Sequence, residues 1–100
     1  AIGGQTSNVT DMTNMFTNAT AFNQDLNTWK TFRVQTMSGM FKGASNFNGA
    51  IGAWNTRSVT DMQNMFYDAI KFNKPMNNWN TLSIGIYTSK TGNVPFSVSM

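Results

Sequence analysis

Apolar positions recur along this chain at one fixed spacing. Residues 5–29, 30–54 and 55–79 superimpose without a gap. The columns read Val9/Val34/Val59, Met12/Met37/Met62, Met15/Met40/Met65, Phe16/Phe41/Phe66 and Ala19/Ala44/Ala69. They continue with Phe22/Phe47/Phe72, Leu26/Ile51/Met76 and Trp29/Trp54/Trp79, and Asn23/Asn48/Asn73 is a polar column of equal regularity. A period of 25 residues marks an array in which each unit stacks on the next, because one such unit cannot bury its apolar face alone.

Inside each unit the first half has helical spacing. Met12, Met15, Phe16 and Ala19 fall at i, i+3, i+4 and i+7, one face of an α-helix. Thr10 with Asp11, and Thr60 with Asp61, supply a cap and a negative charge at its start. Asn18, Gly43 and Asp68 share the column where a left-handed residue ends a helix. The pattern predicts a helix of about two turns, too short to stand without packing. The second half loses that period. Phe22-Asn23 and its copies predict a tight turn, with the repeated Asn forming an amide ladder between coils. Trp29 and Thr31, with Trp54/Thr56 and Trp79/Thr81, sit two apart and share one face of a strand. Short strands are expected near 28–32, 53–57 and 78–82, paired in parallel about 4.8 Å apart.

The repeat decays after Thr81. Residues 82–88 alternate, Lys90-Thr91-Gly92-Asn93 gives a turn, and Val94 to Met100 reads extended, the pattern of a hairpin. The expected fold is therefore an α/β solenoid of three coils, residues 5–29, 30–54 and 55–79 within a 1–81 array, each a short helix plus a short parallel strand. Residues 82–100 form a β-hairpin cap or connector.

With those columns in view, the chain resembles the BspA-like bacterial surface protein repeat, a leucine-rich-repeat relative. Ser58-Val59-Thr60-Asp61-Met62 with Met65-Phe66 and Phe72-Asn73 carries the resemblance best, and Ser7-Asn8-Val9-Thr10-Asp11-Met12 nearly as well. The middle unit departs from it, with Gln35-Thr36 in place of Thr-Asp. The resemblance covers residues 5–81. It implies a leucine-rich-repeat-like solenoid on surface-exposed or secreted proteins of bacteria, protists and some viruses, associated with adhesion or binding and with no enzymatic activity.

Composition narrows the chemistry. Only 11% of residues are charged, against a usual ~25%, and Asn and Thr fill the polar positions. Aromatics at 13% argue against a disordered chain. There is no Cys and no His, which excludes disulfides and thiolate sites and removes the commonest general base and metal ligand. The net charge is +3, but Lys30, Arg33, Lys42, Arg57, Lys71, Lys74 and Lys90 form no run, so a nucleic-acid partner is not expected. No apolar run reaches the ~20 residues of a membrane span. The chain starts at Ala1 without a signal peptide, as a processed or excerpted chain would.

The repeated letters read as architecture. The Trp column is assigned to the core, with a sugar-stacking platform as the alternative. The Met columns are core filler rather than a thioether metal site, since no His or Cys accompanies them. Asp11, Asp25, Asp61 and Asp68 do not pair as acid and base, and Asp25 gives way to Ala50 and Pro75, so neither catalysis nor calcium is expected. Asn8-Val9-Thr10 and Asn18-Ala19-Thr20 match the glycosylation pattern, which recurs by chance in a chain rich in Asn and Thr. Recognition should lie in the letters that vary. Lys30 and Phe32, then Asn55 and Arg57, then Asn80 and Leu82, alternate with the inward Trp and Thr positions, and they are the candidate binding face. The expected function is a non-enzymatic, cofactor-free adhesion or binding module at a cell or virion surface, recognising a protein or glycan. A structural spacer that packs on neighbouring chains is the alternative.

Overall fold

A computed structural model describes residues 6–74 together with Trp79. Among these residues there is no α-helix and no extended strand. The only strand-like pairings are two parallel backbone bridges, Asp11 to Thr36 and Thr36 to Asp61. The leucine-rich-repeat-like α/β solenoid expected from the pattern is thereby overturned. The expected cap at 82–100 lies outside the described residues.

The reason for the missing helix is local. Asn14, Gly39 and Asn64, in the middle of the expected helix, have φ of 56°, 62° and 58°. No right-handed helix continues through such a residue. Asn18, Gly43 and Asp68 are also left-handed, at 60°, 73° and 60°, so that column has the conformation expected of it without a helix to end. All six residues stand third in a four-residue turn. Met15 N–H donates to Met12 O and Ala19 N–H to Phe16 O, with the same pairs at 37–40, 41–44, 62–65 and 66–69. That third position is where a type II turn requires positive φ, which Gly and Asn supply most cheaply.

Each unit is thus a run of turns, held by its neighbours. The N–H groups of Met12, Asn14, Phe16 and Asn18 donate across to the carbonyls of Thr36, Ser38, Met40 and Lys42. Those of Met37, Gly39, Phe41 and Gly43 donate in turn to Asp61, Gln63, Met65 and Tyr67. The intervening Met15, Thr17 and Ala19 close turns within their own unit. Thr13, the remaining donor, is taken by the Asp11 carboxylate at 2.9 Å. Every backbone N–H from Met12 to Ala19 is accounted for.

The expected strands fail for the same reason. Turns close at 26–29 and 31–34, and again at 51–54 and 56–59, leaving no run long enough for a strand at 28–32 or 53–57. The stretch 78–82 is outside the described residues apart from Trp79. Asn23 and Asn48 do not pair amide to amide. Each amide oxygen instead accepts the backbone N–H of the next copy, Asn48 at 2.7 Å and Asn73 at 2.8 Å.

Turn ends point inward and form the core. In the second unit Thr31, Val34, Met37, Met40, Phe41, Ala44, Phe47, Ile51 and Trp54 are all buried. Aromatic columns run through the stack. Trp29, Trp54 and Trp79 lie parallel with centroids 6.1 and 6.0 Å apart. Phe22, Phe47 and Phe72 repeat at 5.7 and 5.6 Å, and Phe16, Phe41 and Phe66 at 5.4 and 5.7 Å. Each such pair contributes about 0.5–1.5 kcal/mol beyond area burial. The indole N–H of Trp54 reaches Leu26 O at 2.7 Å, and that of Trp79 reaches Ile51 O at 3.0 Å. This places the Trp column and, Met15 excepted, the Met columns in the core.

Candidate functional site

Turn middles point outward, and one set of them carries the candidate chemistry. Val9 N–H to Thr6 O, Val34 N–H to Thr31 O and Val59 N–H to Thr56 O close three stacked turns, each bond 3.0 Å. Their tips are Ser7-Asn8, Phe32-Arg33 and Arg57-Ser58. Buried Thr and Val residues anchor the second and third turns on both sides: Thr31 with Val34, and Thr56 with Val59. The Thr31 hydroxyl donates to Asn55 O, and Thr6 and Lys30 exchange two hydrogen bonds. The tips are therefore fixed by core contacts although they face solvent.

Phe32 sits at the centre of this edge. The Arg33 guanidinium lies 5.5 Å from its ring centroid and the Arg57 guanidinium 5.7 Å, both within cation–π range. Arg33 Nη1 donates to Asn8 Oδ1 at 2.8 Å, Asn55 Oδ1 accepts the Arg57 N–H at 3.0 Å, and Ser58 Oγ donates to Phe32 O at 2.9 Å. Lys30 is exposed one turn away. Three of the four aspartates are engaged by backbone N–H groups elsewhere: Asp11 and Asp61 accept those of Thr13 and Gln63, and Asp25 accepts that of Ala50.

Of the candidate face, the structure brings Phe32 and Arg57 into contact, uses Asn55 to orient the Arg57 backbone, and leaves Lys30 exposed beside them. Asn80 and Leu82 lie outside the described residues. Arg33 belongs to the cluster and was not among the candidates. A strand ending at residue 32 excluded it; reading Phe32-Arg33 as a turn tip would have included it.

Other chemistry finds little support here. No group of three His, Cys, Asp or Glu side chains able to hold a metal occurs among the described residues. Among the described residues the methionines are core residues apart from Met15, which is exposed. The backbone N–H of Thr13, then its side chain, hold the Asp11 carboxyl below its ordinary value by hydrogen bonding, which is a turn-forming role. The Asn8 amide of the first glycosylation match is engaged by Arg33.

A family model matches residues 4–94, nearly the whole chain, under the description "Mycoplasma protein of unknown function, DUF285". The chain belongs to that DUF285 family. DUF285 is related to the BspA-like surface proteins. No curated protein and no solved structure matches this DUF285 chain. Among its described residues no helix is long and apolar enough to cross a membrane.

Proposed function

We propose that this DUF285 chain is a surface-exposed, non-enzymatic module that binds an extracellular partner through the stacked turn tips. The observation that carries the reading is the Phe32 ring flanked by Arg33 and Arg57, while Asp11, Asp25 and Asp61 are engaged by backbone N–H groups elsewhere. Arg is enriched at binding hot spots, and Phe and Arg at protein interfaces. The kinship with BspA-like surface proteins supports a surface location. The repeated, buried letters are occupied in turns and core, so recognition falls to the varying tips.

The test is direct. The full 100-residue chain is immobilised and probed with an array of purified extracellular proteins and glycans, beside a Phe32→Ser/Arg57→Gln variant. A partner retained by the parent and lost by the variant, with identical circular dichroism and melting, supports the reading. A partner bound equally by both places recognition elsewhere and overturns this face.

A second reading, an assembly piece, is favoured by two observations. Met15 is exposed, and the buried indole N–H of Trp29 has no partner among the described residues. Concentration-dependent self-association in sedimentation, abolished by Met15→Lys, supports assembly; a monomer at all concentrations counts against it.

A further inference from the structure

We propose that the turn-tip edge takes an extended acidic peptide segment, two carboxylates of which, spaced i and i+2, pair with Arg33 and Arg57. This deepens the binding reading above and rests on it. The first ground is charge. Lys30, Arg33 and Arg57 lie along one edge, and Asp11, Asp25 and Asp61 are spent elsewhere on backbone N–H groups. Arg33 is bonded to a neutral amide, Asn8, and not to an anion. Its charge and most of its five donors stay available.

The second ground is geometry. Both guanidinium carbons lie within 5.7 Å of one ring centroid, and they come from successive units of a stack whose aromatic columns repeat at 5.4–6.1 Å. The two guanidinium carbons therefore stand no more than about 11 Å apart, and same-face side chains of an extended peptide recur every ~6.6–6.8 Å, so two carboxylates of one short segment can reach both. The planar guanidinium fork engages a carboxylate through two parallel hydrogen bonds, which a Lys ammonium does not. Phe32 keeps both forks oriented before the partner arrives, which lowers the ordering cost of binding.

The third ground separates a peptide from other polyanions. Phe32 is already covered by two cations, so it is not an open platform for a sugar ring. The edge offers three cations, fewer than the 4–8 clustered basic residues typical of anionic-lipid recognition. Attraction to a sulfated polymer grows with the number of charges neutralised, as it does for nucleic acids, and this edge neutralises few. Two bidentate pairs are enough for a short peptide.

The experiment uses the full chain and a short peptide alternating glutamate with serine, followed by titration calorimetry or fluorescence polarisation. Comparison probes are the same peptide with glutamine for glutamate, a sulfated polysaccharide, and vesicles containing phosphatidylserine. Expected is saturable binding of the acidic peptide, absent for the glutamine version and weakened between about 50 mM and 500 mM salt as the Debye length shortens. Arg33→Gln and Arg57→Gln each weaken it about 3- to 5-fold and together about 10-fold, the range of exposed but well-oriented pairs. Phe32→Leu weakens it about 2- to 3-fold at unchanged net charge, through lost positioning. Melting temperatures of all variants should match the parent's. Tighter binding of the polysaccharide or the vesicles than of the peptide overturns the inference. So does peptide binding that ignores both Arg substitutions. If the chain binds an array partner through Phe32 and Arg57 but no acidic peptide, the inference falls while the binding reading stands. If neither is bound, both fall.

Discussion

The first and second units share most of their letters and differ in how those letters are housed. Met15 is 44% exposed, whereas its copy Met40 is fully buried. Val9, Phe16 and Phe22 are only partly buried, and Val34, Phe41 and Phe47 are completely so. Trp54 donates its indole N–H to Leu26 O, while the equivalent atom of Trp29 is buried without a partner among the described residues. The difference teaches that a core residue here belongs to three units at once. Its own turn aims it inward, and the units before and after it supply the surfaces that cover it. Stability should then follow the nearest-neighbour interfaces and not the consensus letters.

The largest break in that comparison comes from shortening the same side chain in both places. Met40→Ala should cost about 2–5 kcal/mol, because it opens a cavity in a closed part of the stack. Met15→Ala should stay within about 0.5 kcal/mol, as an exposed substitution. Urea denaturation of the two variants beside the parent measures both. Equal costs would mean that the units contribute alike and that the housing described above is irrelevant to stability.

Glycine sharpens the comparison next. In the column Gln24/Gly49/Lys74 only the second unit carries glycine. A Cβ on Gly49 would stand 2.0 Å from Gln24 O and 2.7 Å from its carbonyl carbon. Those are backbone atoms, so neighbouring units must move apart to admit it. Gly49→Ala should destabilise by about 1–3 kcal/mol, the range of overpacked cores. Thermal melts check it. Gly39 and Gly43 are constrained differently: each is left-handed, and the side-chain oxygen of Asn14 or Asn18 occupies the space where their Cβ would be.

How much of this was legible in the letters depends on which signal is asked. The inward set was legible, because Met, Phe, Ala and Trp recur at fixed offsets and nearly all are buried in the second unit. The helix was misread. Turn ends at 12, 15, 16 and 19 reproduce i, i+3, i+4 and i+7, so the apolar spacing cannot separate a helix from two linked turns. The discriminating letters were Asn14, Gly39 and Asn64, a column of left-handed formers placed where a helix would tolerate none. The sharing of backbone donors between units leaves no mark in the apolar pattern either. Phe32 and Arg57 could be picked as variable positions beside inward residues. Arg33 could not, because a strand reading gives it the wrong neighbours.

The tryptophans offer a finer test of the same contrast. Trp54→Phe removes one of the two donors to Leu26 O, which keeps the Trp29 backbone N–H. Trp29→Phe removes a donor that has no partner among the described residues. Both lose similar ring area, so the substitution in the second unit should cost about 1 kcal/mol more, the net worth of one hydrogen bond. Parallel denaturant titrations of the two variants would show it. A reversed order would mean that the unpartnered indole carries no penalty.

The smallest effect concerns a titration that only some units possess. The column Asp11/Thr36/Asp61 accepts the N–H two residues on, at 2.9 Å from Thr13, 3.3 Å from Ser38 and 3.0 Å from Gln63. Thr36 does this without charge, so the second unit's turn is indifferent to acid. Asp11 is held below its ordinary 3.8, chiefly by the Thr13 backbone N–H and then by its side chain. A carboxyl whose folded value is depressed favours the folded state fully above its unfolded value. That contribution drains away as the pH falls through 3.8 and on through the lower folded value. Melting temperature should therefore fall slightly over that acid window. Asp11→Asn, which keeps the accepting oxygen but cannot titrate, should flatten the part of the fall that Asp11 causes while changing little at neutral pH. Because the group is solvent-exposed the effect is small, and an Asp11→Asn variant whose acid profile overlays the parent's would assign the fall to other carboxylates.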